Sequence, residues 1–142
     1  MKRIFSYCNL LRLSKANEYI LKIYYSLYYN VEGNDRKSFL SEKISTREKI
    51  KLELQESLNK LDKNSASYFS RLSILIFAGM CSQYHFIKDR FQTINWQTCH
   101  EQELHNINLY YSILYSRQYP KFMTDLLISQ KSAIEDMVMV EI

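Results

Sequence analysis

Two glycines and one proline in 142 residues constrain this chain more than any other feature of it. Average usage would supply roughly 10 and 7. Sheet proteins need many turns built on these two residues, so the chain is expected to be all-α. Its length fits a single domain, 1–142, large enough to form a core without metal or disulfide. With glycine only at 33 and 79, no nucleophile elbow, phosphate loop or dinucleotide-binding turn can be written.

Other classes fall away on spacing. Cys8, Cys81 and Cys99 are odd in number and have no close pair, so neither a disulfide framework nor a zinc knuckle is encoded, and a reducing compartment fits. The longest apolar run, Ile74 to Cys81, has 8 residues. A bilayer needs ~20. The start MKRIF resembles that of a signal peptide, but Asn9 and Arg12 interrupt the apolar stretch, so secretion is not expected. In His100-Glu101-Gln102-Glu103-Leu104-His105 the histidines are five apart, one more than the zinc-protease spacing. At ~100° per residue they diverge by ~140° and cannot share a metal. Glu101 and His105 share a helical face, and a solvent-facing pair explains them. His85 reads as a boundary histidine, and the adjacent Cys99 and His100 point apart on a helix. No catalytic residue, metal site or cofactor is expected, and a binding protein is the better class.

Charge is uneven. Residues 1–51 carry 11 basic and 5 acidic side chains, whereas 52–142 carry 8 and 10. The basic third could face nucleic acid or anionic lipid, although no consecutive basic run appears and a solvated face accounts for it. Tyrosines interleave with lysine in Tyr19–Tyr29, which superficially suits base stacking, but a buried helix explains them as well.

Helical periodicity organises the chain. Leu10, Leu13, Asn17, Ile20, Tyr24 and Leu27 recur at three and four, predicting an amphipathic helix within residues 4–30 that ends at Glu32-Gly33-Asn34. Asp35 can cap a short helix, Arg36 to Ile44, carrying Phe39, Leu40 and Ile44. Ser45 and Glu48 then form a capping box that opens a helix with Ile50, Leu54, Leu58 and Leu61 on one face. After Lys63-Asn64-Ser65, residues Ala66 to Phe86 read as a helix apolar almost all round from Leu72 to Met80, and so central. Trp96 falls in the following loop. Thr98 and Glu101 form a second capping box before a row of Leu104, Ile107, Tyr111 and Leu114. Pro120 suits the first turn of a further helix, with Phe122, Leu126 and Leu127 or Ile128 inward. Ala133 to Ile142 reads as a last turn or a docked tail, and its Glu135, Asp136 and Glu141 argue against a membrane anchor.

Residues 68–86, YFSRLSILIFAGMCSQYHF, resemble the first homology motif and central helix of the Bcl-2 family, NWGR followed by aliphatics and Phe-Gly. Phe69 stands at the tryptophan position, Ser70 at the glycine, Arg71 at the arginine and Gly79 at the helix-interior glycine. Gln92 to Glu101 looks like the loop before the next central helix in one member, and the Ser45–Leu61 helix sits where the groove wall would be. Tyr68 and Phe69 replace the asparagine and tryptophan, and the second homology motif has no match after Pro120, where Phe122 stands nearest its first aromatic. Either Leu13 to Ile20 corresponds to the third homology motif, or Ser14 to Tyr29 is the first helix and Arg36 to Ile44 a stunted second. The latter is preferred. Compaction of this kind looks most like a viral member.

The resemblance implies a Bcl-2-like bundle wrapped around residues 66–86, with a groove that receives the amphipathic Bcl-2 homology 3 helix of a pro-apoptotic protein. Phe39, Leu40, Ile44, Leu54, Leu58, Leu61, Phe69 and Leu72 would line it, and Arg71 would pair with the partner's aspartate. It implies an anti-apoptotic protein of the host cytoplasm, peripheral at mitochondria, with no nucleic acid bound; separately, exposed aromatics in a chain with 12 tyrosines point to a homodimer. Two alternatives stand beside it: a viral inhibitor of innate immune signalling that binds adaptors by its outer surfaces, and a small helical nucleic-acid-binding protein.

Overall fold

In a computed structural model the described residues are 2–63, 96–115 and 119–139, with side chains described for 7–60, 96–115 and 119–138. They are helical, with no strand among them: α1 (Lys2–Asn30), α2 (Asn34–Lys63), α3 (Trp96–Tyr115) and α4 (Lys121–Met139). The expected central helix Ala66–Phe86 lies outside the described residues.

The stripe predicted for α1 is the one it buries. Leu10, Leu13, Asn17, Ile20 and Tyr24 are buried and Leu27 is half-buried. Tyr19, Leu21 and Ile23 are buried too. At ~100° per residue these positions cover about half of the helix circumference, while Lys22, Tyr25 and Tyr29 on the other side are exposed. The helix closes when Asn30 Nδ2 donates to the Ser26 carbonyl (2.8 Å). The chain then turns through Gly33, whose φ of 105° lies in the left-handed region that an L side chain adopts only with strain.

Helix α2 corrects the expectation of two helices here: Arg36–Ile44 and Ser45–Leu61 are one unbroken helix of 30 residues. Ser45 is an exposed mid-helix residue rather than a cap. The neighbouring Thr46 hydroxyl bonds back to the Glu42 carbonyl (3.2 Å), so the helix continues through the hydroxyl pair. No glycine or proline lies between 34 and 63 to end it. The true start is Asn34, where the Lys37 N–H reaches the Gly33 carbonyl (3.2 Å); Asp35 lies in the first turn, where a carboxylate suits the helix dipole.

Helix α3 starts at least as early as Trp96, so Trp96 is helical and Thr98 is inside the first turns rather than at a cap. Its phase is also shifted from the predicted one. The buried row is Cys99, Glu103, Asn106, Tyr110 and Ile113, while Leu104 and Tyr111 face solvent and Ile107 and Leu114 lie at the flank. Pro120 precedes α4 instead of entering it, and its carbonyl accepts from the N–H groups of Met123 (3.1 Å) and Thr124 (3.0 Å). Met123, Leu127, Gln130, Ile134 and Val138 face inward; Phe122 and Ile128 are exposed and Leu126 half-buried. Ala133 to Met139 continues α4, so this stretch is no separate tail.

The helices form a ring in which α1 and α4 each pack against both α2 and α3. The α2 and α3 backbones nowhere come within 8 Å, Cα to Cα, so they are diagonal. Cys99 packs with Tyr19, Ile20 and Tyr24, whereas Tyr110 and Ile113 pack with Leu10 and Leu13, so α3 runs antiparallel to α1 and parallel to α2. Two clusters fill the bundle. One, drawn from all four helices, joins Leu10, Leu13, Ile50, Leu54, Tyr110, Ile113, Met123, Leu127, Ile134 and Val138. The other, at the opposite end, joins residues of α1 to Leu40 of α2 and Cys99 of α3.

Candidate functional site

The residues predicted to line a groove fall in different places. Leu40 and Leu54 are completely buried, in separate clusters at opposite ends of the bundle. Ile44 packs partly buried against the cluster of Leu40 and Leu58 against that of Leu54. Phe39 is half-buried, its ring 6.3 Å from that of Trp96. Phe69, Arg71 and Leu72 lie outside the described residues, as does the side chain of Leu61. The structure therefore brings Phe39, Leu40 and Ile44 together at one end and Leu54 and Leu58 at the other.

Between the two ends lies an arrangement that sequence reasoning missed, a polar layer in the middle of the bundle. Arg47 of α2 is 0% exposed, as is Glu103 of α3, and Arg47 Nη2 donates to Glu103 Oε2. Arg47 Nη1 donates to Asn106 Oδ1 (2.8 Å) and to Asn17 Oδ1 (3.0 Å). Asn17 Nδ2 in turn donates to the Arg47 carbonyl (3.0 Å), and the Tyr24 hydroxyl donates to Glu103 Oε1. Three helices thus converge on one ion pair. The guanidinium supplies planar, directional donors and remains charged at any pH a protein meets, which makes arginine rather than lysine the residue for such a layer.

Burial, then the negative charge of Glu103, pushes the Tyr24 phenol far above its ordinary range, so it acts as a fixed donor. Lys43, one turn before Arg47 and buried, lies 5.8 Å from the Tyr24 ring centroid and 4.7 Å from that of Phe39, within cation–π range. A second polar contact sits further along the bundle. The Tyr110 hydroxyl donates to Gln130 Oε1 (2.8 Å), and Gln130 Nε2 reaches Glu53 Oε1 (3.5 Å). Burial raises the Tyr110 phenol as well, against the lowering effect of Arg47.

A signal for the layer was present in the spacing. Leu40, Ile44, Arg47, Ile50 and Leu54 form one stripe with the arginine in an apolar position, and Cys99, Glu103, Asn106, Tyr110 and Ile113 form another. Polar residues inside an otherwise apolar stripe on two helices, opposite in charge, are what a buried pair looks like before folding.

The outer faces of α3 and α4 expose large apolar side chains. Leu104, Tyr111 and Tyr115 follow one another at seven and four along α3, and Phe122 and Ile128 are exposed on α4. The Lys131 ammonium lies over the Tyr111 ring, 3.8 Å from its centroid, and pairs with Glu135 at 2.8 Å, a hydrogen bond that raises its affinity for its proton. The aromatic end of α1 is also exposed at Tyr25 and Tyr29, with Tyr25 donating to Glu48 Oε1 (2.8 Å).

Among the described residues no three His, Cys, Asp or Glu side chains group as a metal site would require, and no helix is long and apolar enough to cross a membrane. His105 and Glu101 are exposed. Compared with protein-family models, curated proteins and solved structures, the chain matches none.

Proposed function

We propose that this chain is a non-catalytic, Bcl-2-like interaction protein that sequesters the Bcl-2 homology 3 helices of pro-apoptotic proteins and so blocks apoptosis in a host cytoplasm. The observation that carries the reading is the run 68–86, with Arg71 in the place of a motif arginine and Gly79 eight residues on. The all-helical architecture is compatible with it. The continuous α2 departs from the arrangement of a short second helix followed by a separate groove wall. Because Leu40 and Leu54 are closed inside the bundle, an incoming helix would meet the partly exposed Phe39, Ile44 and Leu58. The mechanism is competition for a helix, with apolar anchors in pockets and one charged contact at Arg71.

Calorimetric titration of a panel of pro-death homology 3 peptides into wild-type protein and Arg71→Ala tests this. Binding tighter than ~1 μM that weakens by ~1.5–3 kcal/mol without the arginine is expected. No heat from any peptide, with a cooperatively folded sample, would sink the reading.

One observation favours a second function, adaptor binding by outer surfaces: the apolar row Leu104, Tyr111 and Tyr115 points to solvent. On that reading Tyr111→Ser with Tyr115→Ser abolishes capture of a signalling adaptor while Arg71→Ala leaves it intact. The opposite pattern returns the function to the groove.

A further inference from the structure

The polar layer contains two donors without acceptors. Arg47 Nε and Asn106 Nδ2 are buried, and neither has a partner among the described residues. Buried polar groups are nearly always satisfied, so two orphans in one network call for a physical reason.

Neighbouring bonds fix both as donors. Asn106 Oδ1 accepts from Arg47 Nη1, so exchanging the amide oxygen and nitrogen would set donor against donor. Each Glu103 oxygen already faces another donor, Oε2 taking Nη2 and Oε1 the Tyr24 hydroxyl, and neither is bonded to Arg47 Nε. Asn17 is turned to other groups: its Oδ1 accepts from Nη1 and its Nδ2 serves the Arg47 carbonyl. The two orphans belong to the two side chains joined by a single 2.8 Å hydrogen bond, each two covalent bonds from one of its atoms. What is needed there is an electron-pair donor of one-atom size.

We propose that the bundle interior holds one small hydrogen-bond acceptor, a water oxygen or a halide ion, between Arg47 Nε and Asn106 Nδ2. Both sources share the chemistry of a compact acceptor facing two N–H groups, and buried waters typically make about three hydrogen bonds to groups of this kind. The guest completes the layer that joins α2 to α3 across the diagonal, where their backbones do not meet.

A crystal structure of the full chain grown in bromide, with the Arg47 Nε–H resonance followed by NMR in the same buffer, tests the proposal. The expected result is a density peak within hydrogen-bond distance of both nitrogens. A peak without anomalous signal, and a magnetisation-transfer signal from water to the Arg47 Nε–H, identify water. An anomalous peak, with a bromide-dependent shift of that resonance, identifies a halide. Asn106→Asp replaces the second donor by an acceptor and is expected to remove the peak and the bromide dependence. Well-ordered density with no peak would overturn the site, as would Nε bonded to Glu103 Oε1 or to an acceptor from residues 64–95. A peak unchanged in Asn106→Asp would remove Asn106 from it.

Discussion

Two stretches of the same bundle interior have been built in opposite ways. Around Leu10, Leu13, Ile50, Leu54, Met123 and Leu127 the core is apolar, with Tyr110 packed among them and its hydroxyl bonded to Gln130. Around Asn17, Tyr24, Arg47, Glu103 and Asn106 the inward positions are polar and hydrogen-bonded across three helices. Both use helical spacing of three and four, yet they do different work. Aliphatic side chains reward burial without prescribing direction, at roughly 25 cal/mol per Å². A guanidinium between a carboxylate and two amides has few satisfactory geometries, so the polar stretch selects one axial register of α3 against α1 and α2.

Breaking the ion pair tests the comparison most severely. Glu103→Ala or Arg47→Ala is expected to cost ~3–5 kcal/mol in urea unfolding, because each strands a buried charge. The double change to Met at 47 and Leu at 103 should recover most of that loss, and a double variant as damaged as the singles would show that packing rather than charge was at stake. In the apolar stretch Leu127→Ala is expected to cost ~2–5 kcal/mol through the cavity it leaves. Its effect should add to that of Glu103→Ala if the two stretches are energetically separate.

Tyr24→Phe isolates one hydrogen bond of the polar layer and should cost ~1–3 kcal/mol by leaving Glu103 Oε1 short of a donor. The same phenol links stability to pH. Tyr24 and Tyr110 hold their protons to higher pH in the fold than in the unfolded chain, so their contribution is complete below pH ~10 and is lost as pH rises beyond it. Ultraviolet titration should show these two phenols un-ionised past the ordinary tyrosine range while the protein stays folded, and loss of the Tyr24 proton within that range would contradict the closed layer. Smaller effects sharpen the contrast from outside the core. Gly33→Ala should cost ~1–2 kcal/mol from backbone strain alone, since a Cβ there meets no atom within 4 Å. Leu104→Ser, on the exposed face of α3, should stay within about 0.5 kcal/mol of wild type.

The helical class and the inward face of α1 were legible because both rest on local information. Glycine and proline scarcity speaks for the whole chain, and Leu10 to Tyr24 is a regular stripe. The divisions within α2 and before α3 were misread for a local reason too. Ser45 with Glu48 and Thr98 with Glu101 match a capping pattern whose residues are equally at home inside a helix, with the neighbouring Thr46 hydroxyl bonded to the preceding turn. The phase of α3 was misread because Leu104, Ile107, Tyr111 and Leu114 make a more apolar row than the one it buries.

By itself the sequence determined that this chain is helical, that α1 presents a continuous inward stripe, and that Gly33 marks the first turn. Tertiary structure alone decided that α2 and α3 lie diagonal to each other, and that Asn17, Arg47, Glu103 and Asn106 meet at the centre of the bundle. The reason is distance along the chain. Arg47 is buried only because Asn17, Glu103 and Asn106, 30, 56 and 59 residues away, arrive to receive it. No local pattern prices a buried charge until its partners are in place.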